Sequence, residues 1–409
     1  MLAAGIGGTP SFGEVTVTGG STSSATDGTP GTGGTASTGR TKATTATGGT
    51  LSTGGSTNVK LVAETISRGD YHSCAVLRGG TVQCWGDNEY GQLGNGSTLN
   101  SSVPVAVFGI TNAIAIAAGY KFTCAMLNGG TVQCWGYNEY GQLGNGTTTN
   151  SSIPVTVPGV TNAVAVAVGQ FQTCAVRNGG TVQCWGGWGD SGAGPRPILC
   201  STMVSAVPVT VSSITDAVGA TLGVAHVCTV LSGGTVQCWG ENNCGQLGNG
   251  TMTNSSMPVT VSSISNAVAV TAGRIHTCAI LSDGTVQCWG NNGWDQLGNA
   301  TATNSSVPVT VSGITNAIGI SANGCADNTC ALLSGGAVQC WGDNGMSELG
   351  NGTMTNSSIP VTVLGVTDAV AVTNGCAVLR GGTVQCWGFG WLGNGTTTGS
   401  SVPVTVSGF

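Results

Sequence analysis

From about residue 58 to the C-terminus, short apolar runs alternate with polar, glycine-rich intervals, and the alternation itself repeats. In one unit, AIAIAAG (113–119), TCAML (123–127), TVQCWG (131–136) and IPVTV (153–157) are four such runs, the last following a long polar loop. Each is too short for a helix, rich in β-branched residues and bounded by turn signals, which predicts four strands. The string QCWG occurs seven times, with its Trp at Trp85, Trp135, Trp185, Trp239, Trp289, Trp341 and Trp387, at steps of 50, 50, 54, 50, 52 and 46 residues. Four antiparallel strands per unit make a propeller blade, and seven units make a closed ring. The predicted fold is therefore all-β, a seven-bladed β-propeller of four-stranded antiparallel blades. Asn58–Ile66 and Val402–Ser407 are expected to share a sheet and so latch the ring.

Composition divides the chain in two. Residues 1–57 are a Gly/Thr/Ser tract with almost nothing to bury, read as a disordered, low-complexity tether, and residues 58–409 are the propeller. Only 6% of residues are charged and 71 are Gly, which argues against solvated helices and for many turns. The ten Lys+Arg, within a net charge of −6, are too few to neutralise a run of phosphates, so no nucleic-acid partner is expected. No apolar run reaches the roughly 18 to 20 residues of a membrane span. The start, MLAAGIGG, lacks the basic n-region of a signal peptide.

The repeat has a finer signature: a small-residue strand ending Ala-Gly, then His-Thr, Asp-Gly, Trp-Gly and a Gly-Gln-Leu-Gly loop. Repeat five shows it as Ala272, Gly273, His276, Thr277, Asp283, Gly284, Trp289, Gly290, Gln296, Leu297 and Gly298, although its loop reads DQLG. Over Asn58–Phe409 the chain resembles the regulator of chromosome condensation repeat family. The resemblance implies a seven-bladed propeller used for recognition. Nuclear members promote nucleotide exchange on a small GTPase, and a secreted bacterial propeller of this repeat type inhibits β-lactamases. Repeat three lacks GQLG and repeat seven shortens both polar loops, so atypical rims are expected there.

Fourteen cysteines form seven pairs ten residues apart: Cys74 with Cys84, Cys124 with Cys134, Cys174 with Cys184, Cys228 with Cys238, Cys278 with Cys288, Cys330 with Cys340 and Cys376 with Cys386. In the first, a three-residue turn Arg78-Gly79-Gly80 with Gly80 left-handed sets Leu77 opposite Thr81 and hence Cys74 opposite Cys84. That pair is non-hydrogen-bonded, with Cα atoms about 4.5 to 5.5 Å apart, within disulfide reach. Zinc ligation and reduced core thiols are the alternatives, but one pair per blade keeps the thiolates from converging on a metal. Seven disulfides place the protein in an oxidising compartment: extracellular, cell-surface or periplasmic. Cys200, Cys244 and Cys325 break the pattern. Cys200 and Cys244 fall in the same loop type of adjacent blades and are expected to pair.

No catalytic residue, metal or cofactor is predicted. G-x-S-x-G, H-E-x-x-H and phosphate-binding loops are missing from the sequence. His72, His226 and His276 recur two residues before the first Cys of their repeats, which suits packing better than catalysis. The many Asn-x-Ser/Thr sequons, such as Asn95-Gly-Ser97, are explained by turn chemistry. The QCWG tryptophans are read as inter-blade packing.

The aromatics that do not repeat carry the functional signal. Tyr90, Tyr140, Trp188, Trp294 and Trp391, with Tyr137 and Phe389, follow QCWG in the long loop. Antiparallel connectivity sends that loop, and the one before the first Cys, to a single rim. This rim carries ten acids, Glu89, Glu139, Glu241 and Asp295 among them, against four bases, which is −6, while the rest of the ring sums to zero. The expected site is this acidic, aromatic rim, binding a protein partner, with a glycan as the alternative, from a monomeric ring. A lyase or hydrolase with a channel active site is the competing class.

Overall fold

The computed structural model describes residues 61–187, 205–322 and 326–409. These form seven four-stranded antiparallel sheets, each built from four consecutive strands. In blade 1 the strands are β1 (Ala63–Arg68), β2 (His72–Leu77), β3 (Val82–Gly86) and β4 (Ser101–Ala106). Blade 2, at Ala113–Ala118, Phe122–Leu127, Val132–Gly136 and Ser151–Thr156, follows the predicted runs closely.

The ring closes differently from the expected latch. β1 pairs with β2, and Ser400–Thr405 pairs with Val384–Gly388, so no sheet holds both ends of the propeller. The junction reuses bonds found at other blade boundaries. Ala118 N–H donates to Ser67 Oγ at 2.9 Å and Ala322 N–H to Thr271 Oγ1 at 2.8 Å; at the closure Arg68 N–H donates to Thr373 Oγ1 at 3.4 Å. In the same way Gly96 N–H donates to the Ser152 carbonyl, and Gly395 N–H to that of Ser102. A shared strand is dispensable because the core already lies between blades. Cys74, Val82 and Cys84 of blade 1 pack on Ile116, Ala125 and Trp135 of blade 2, and Trp85 packs on Val406 and Phe409 at the closure.

The QCWG tryptophans are the main wedges. Trp135 is fully buried and its indole N–H donates to the Gln92 carbonyl of blade 1 at 2.9 Å. Trp185, Trp289 and Trp341 repeat the bond to Gln142, Gln246 and Gln296. Each such burial contributes on the order of 2–3 kcal/mol. Every outer strand carries a proline, from Pro104 and Pro154 to Pro403, which removes a ladder donor and blunts the exposed edge.

All seven predicted cysteine pairs are disulfides. Cys74 is bonded to Cys84, Cys124 to Cys134, Cys174 to Cys184, Cys228 to Cys238, Cys278 to Cys288, Cys330 to Cys340 and Cys376 to Cys386. In every blade the two partners stand directly opposite each other in register, as the turn geometry requires. Their Cα atoms are 4.0–4.1 Å apart. This is closer than the expected spacing of about 4.5 to 5.5 Å, because the covalent bridge draws together a pair that has no hydrogen bonds to hold it apart. In the hairpin turn both Gly79 (φ 94°) and Gly80 (φ 84°) are left-handed. Gly80 is required twice over: a Cβ there would lie 2.7 Å from Asn112 Cα of the next connection.

Candidate functional site

In blades 1, 2, 4, 5 and 6 the long loop after QCWG is built around one buried asparagine. Asn88 N–H donates to Asn100 Oδ1, its Nδ2 donates to the Ser97 and Leu99 carbonyls at 3.0 Å, and its Oδ1 accepts from Leu93 N–H at 2.8 Å. Asn138, Asn242 and Asn344 do the same in their blades. Sequon asparagines serve within this frame: Asn95 Oδ1 accepts from the Ser97 N–H and hydroxyl. The loops are therefore stiff platforms for whatever side chains they carry.

On blades 1 to 3 those side chains form one aromatic patch. Tyr90 and Tyr137 have ring centroids 4.9 Å apart, Tyr137 and Tyr140 6.1 Å, and Tyr140 and Phe171 4.9 Å. Tyr120 links Tyr71 and Phe171, each at 5.6 Å. Lys121 sits among them, its Nζ 4.6 Å from the Tyr90 centroid and 5.7 Å from those of Tyr71 and Tyr120, and 3.2 Å from Glu89. Partial burial opposes its charge, but the Glu89 bond and the neighbouring rings outweigh that and raise its pKa. The Tyr137 hydroxyl donates to Glu139 at 2.7 Å, and burial together with that bond pushes its phenol up.

The structure thus brings together Tyr90, Glu89, Tyr140 and Glu139. It adds Tyr71, Tyr120 and Phe171, which the sequence reading passed over, and Lys121, which it counted only among the four bases of this rim. Their signal was present: each lies in the short loop before the second strand, on the same rim.

The remaining predicted residues lie elsewhere on the rim. Trp294 is 52% exposed, with its N–H on Gln296 Oε1 at 2.8 Å. Asp295 takes the glycine position of that loop and is left-handed at φ 65°. Glu241 accepts from Asn243 Nδ2 at 2.7 Å. Trp391 stands where other loops place Gln92 or Gln142, half-buried beside a cavity of about 170 Å³ that Tyr71, His72 and Phe389 also line. Trp188, Cys200 and Cys325 lie outside the described residues. Cys244 has no disulfide among the described residues, and its Sγ accepts from Asn291 Nδ2 at 3.6 Å.

A second cavity, of about 350 Å³, opens where the inner loops of blades 5, 6, 7 and 1 meet. Arg68, Arg274, Asp70, Asp327, Asp343 and Glu348 line it. Arg68 donates to the carbonyls of Trp387 (2.5 Å), Phe389 (2.6 Å) and Gly375 (3.1 Å). Burial lowers its pKa to about 10, against the opposing pull of Glu348 and Asp70. Arg274 Nη1 is 3.7 Å from Asp327 Oδ2. Burial pushes the Asp327 carboxyl up in spite of that partner, and burial likewise raises Glu348.

The three histidines lie between blades. His72 Nε2 is 2.7 Å from Thr123 Oγ1, His226 Nε2 2.9 Å from Thr277 Oγ1, and His276 Nε2 2.8 Å from Thr329 Oγ1. Burial lowers their pKa values to about 3, 4 and 3 respectively, so all are neutral near pH 7.

Fold and rim define a recurring class, a propeller whose blades present stiff loops on one face. Residues 79–126, 129–176, 233–280 and 283–333 match the Regulator of chromosome condensation (RCC1) repeat, and 64–92 and 113–142 match a second form of it. The chain belongs to the RCC1 repeat family. Among solved structures it is similar to Prp20p of Saccharomyces cerevisiae, at 20% identity and a TM-score of 0.69 over 86% of this chain and 88% of that one. Yeast RCC1 (Prp20), in its structure with Kap60, matches at 19% and 0.68 over 90% and 91%. Human WBSCR16 matches at 21% and 0.67 over 79% and 94%. Identities this low show the fold alone.

Proposed function

We propose that this chain is an exported recognition propeller that binds a protein partner through its acidic, aromatic rim, with residues 1–57 as a flexible tether. One observation carries the reading: seven side chains from three blades, Tyr71, Tyr90, Tyr120, Lys121, Tyr137, Tyr140 and Phe171, converge on stiff loops although the repeat does not dictate them. Aromatic anchors on a preformed frame bind at little cost in ordering. Seven disulfides support an oxidising compartment. The related Prp20p is described with its binding to Gsp1p and histones, which makes protein binding a precedent for the fold.

A channel-mouth active site would draw on the acids beside Arg68 and Arg274. Both guanidiniums are already engaged and the histidines are buried between blades, so recognition is the better-supported reading. The test is site-specific photo-crosslinking in the native secretions or envelope fraction. A photoreactive residue at Tyr90 or Tyr140 should capture one partner that the same residue at Arg78 or Arg380, on the opposite rim, does not. Capture equal from both rims would reject the assignment.

A further inference from the structure

We propose that the aromatic patch holds a cage for an arginine guanidinium presented by the partner, and that Lys121 plugs this cage in the free protein; this rests on the recognition reading above. All five tyrosines of the chain, Tyr71, Tyr90, Tyr120, Tyr137 and Tyr140, stand in the patch. Three of them surround a cation. Lys121 Nζ lies over the rings of Tyr90, Tyr71 and Tyr120, at 4.6, 5.7 and 5.7 Å from their centroids, and 3.2 Å from Glu89 Oε2. Ring faces and a carboxylate are the parts of a cation site, and an ammonium already sits among them.

The plug is not part of the blade. The residue before the second strand is Tyr71, Lys121, Phe171, Ala225, Ile275 or Asp327 in the first six blades, so the repeat requires no base there. Among the described residues the Lys121 ammonium makes one hydrogen bond, to Glu89. A surface ion pair and a cation–π contact near the surface are each weak, so the ammonium is displaceable. The way in is open, because Tyr71 is 41% exposed and the Glu89 side chain 65%. Lys121 also underfills the cage. With a ring radius of about 1.4 Å, no ring carbon of Tyr71 or Tyr120 lies within about 4.3 Å of Nζ, beyond the roughly 3.5–4.0 Å of close contact.

These features select the guest. A lysine from outside repeats the resident and has to compete with its tethered copy. A trimethylammonium is larger but brings no N–H to Glu89. A guanidinium is larger, flat and rich in donors, and its fork matches the Glu89 carboxylate. Stacked on either of Tyr71 and Tyr120, whose planes meet at 73°, it lies edge-on to the other. Arginine is also enriched at the energetic centres of protein interfaces, which suits a protein partner.

Full-length protein labelled with 13C in its tyrosine rings tests this, because every labelled ring belongs to the patch. It is titrated with the capped amides of arginine, of lysine and of citrulline, the neutral isostere of arginine. The ring resonances of Tyr71, Tyr90 and Tyr120, assigned with Tyr71→Phe, Tyr90→Phe and Tyr120→Phe, should shift saturably with arginine. Lysine should bind about threefold more weakly or worse, and citrulline about tenfold. Lys121→Gln should tighten arginine about fivefold or more, and adding Glu89→Gln should remove most of that gain. The proposal is overturned if neither protein shows a saturable shift, if citrulline or lysine matches arginine, or if Lys121→Gln binds no more tightly than the wild type. Choline binding about tenfold more tightly than arginine would identify a quaternary ammonium and overturn the guanidinium. If Tyr140→Ala weakens the captured partner while Lys121→Gln and Glu89→Gln leave it unchanged, the cage fails and the rim reading stands. If the cage selects arginine but crosslinking is equal from both rims, the rim reading fails and the cage stands.

Discussion

The Arg68 guanidinium donates to the main-chain carbonyl of Trp387 at 2.5 Å, across 319 positions of sequence. With its bonds to the Gly375 and Phe389 carbonyls, this puts a side chain where many closed rings would use a shared strand. Shortening of blade 7 left carbonyls facing a gap, and the last residue of β1 fills it.

Arg68→Ala should accordingly destabilise the ring by about 2–4 kcal/mol, since it strands three carbonyls at a partly buried junction. Arg68→Lys should recover only part of the loss, because one ammonium cannot match the planar fork. Denaturant midpoints measure the loss. Hydrogen exchange locates it, with faster exchange expected at 63–68 and 384–388 than in blade 4.

Oxidised protein should show at least fourteen thiols lost by intact mass, two for each bridged hairpin. Replacing one pair, such as Cys278 and Cys288, with alanines should cost up to about 2–3 kcal/mol, the loop-closure figure for so short a loop. Seven or more cysteines alkylated without reductant would remove both the ladder and the inference of export. Peptide mapping of the same material decides whether Cys200 is joined to Cys244.

Stability should fall with acid earlier than carboxylate titration requires. The histidine pKa values drop from 6.5 to about 3, 4 and 3 on folding, so between those limits the unfolded chain binds more protons. Their contribution is full above pH 6.5 and is lost as pH falls towards 4, at up to about 1.4 kcal/mol per unit for each histidine. Asp327 and Glu348, raised by burial, act in the opposite sense at lower pH. Melting curves at pH 7.5, 6.0 and 5.0 check this (about one unit or more apart). His72→Phe should flatten the dependence.

Three positions in two loops carry side chains where their counterparts carry left-handed glycine. Asp295 (φ 65°), Ala300 (φ 62°) and Ser347 (φ 68°) occupy the positions of Gly91, Gly96 and Gly91 respectively. Returning Asp295 or Ser347 to glycine should be neutral or stabilising by up to about 1 kcal/mol, despite the added freedom of the unfolded chain. A loss above that in differential scanning calorimetry would mean that the side chain makes a compensating contact.

The ring was legible because its determinants repeat. The counterparts of Trp135 and Cys124 are buried in every blade, so periodicity exposes them. The closure was not, because Arg68 reads as an ordinary strand end and its partners are backbone carbonyls with no sequence signature. Phe171 was hidden by proximity: it adjoins Gln172, which takes the buried position of His72, while Phe171 itself turns to the rim. Trp391 misled in the other direction. It looked irregular only because the shortened loop obscures its alignment with Gln92.

The aromatic patch makes the sharpest prediction about binding. Tyr140 stacks on Phe171 and Tyr137 but carries no charge partner, so Tyr140→Ala removes contact area and leaves the Lys121 to Glu89 pair in place. The off-rate of a crosslinked partner should rise about thirtyfold, the equivalent of roughly 2 kcal/mol for a central anchor. Neutralising Glu89 is a less clean probe of steering, because it also frees the ammonium held over Tyr90. Glu241 bonds only Asn243 among the described residues, so Glu241→Gln should slow association at low salt and lose its effect as salt rises. Surface plasmon resonance at two ionic strengths separates the outcomes. Greater losses from Arg78, Arg380 or Asp283 on the opposite rim would move the binding face there.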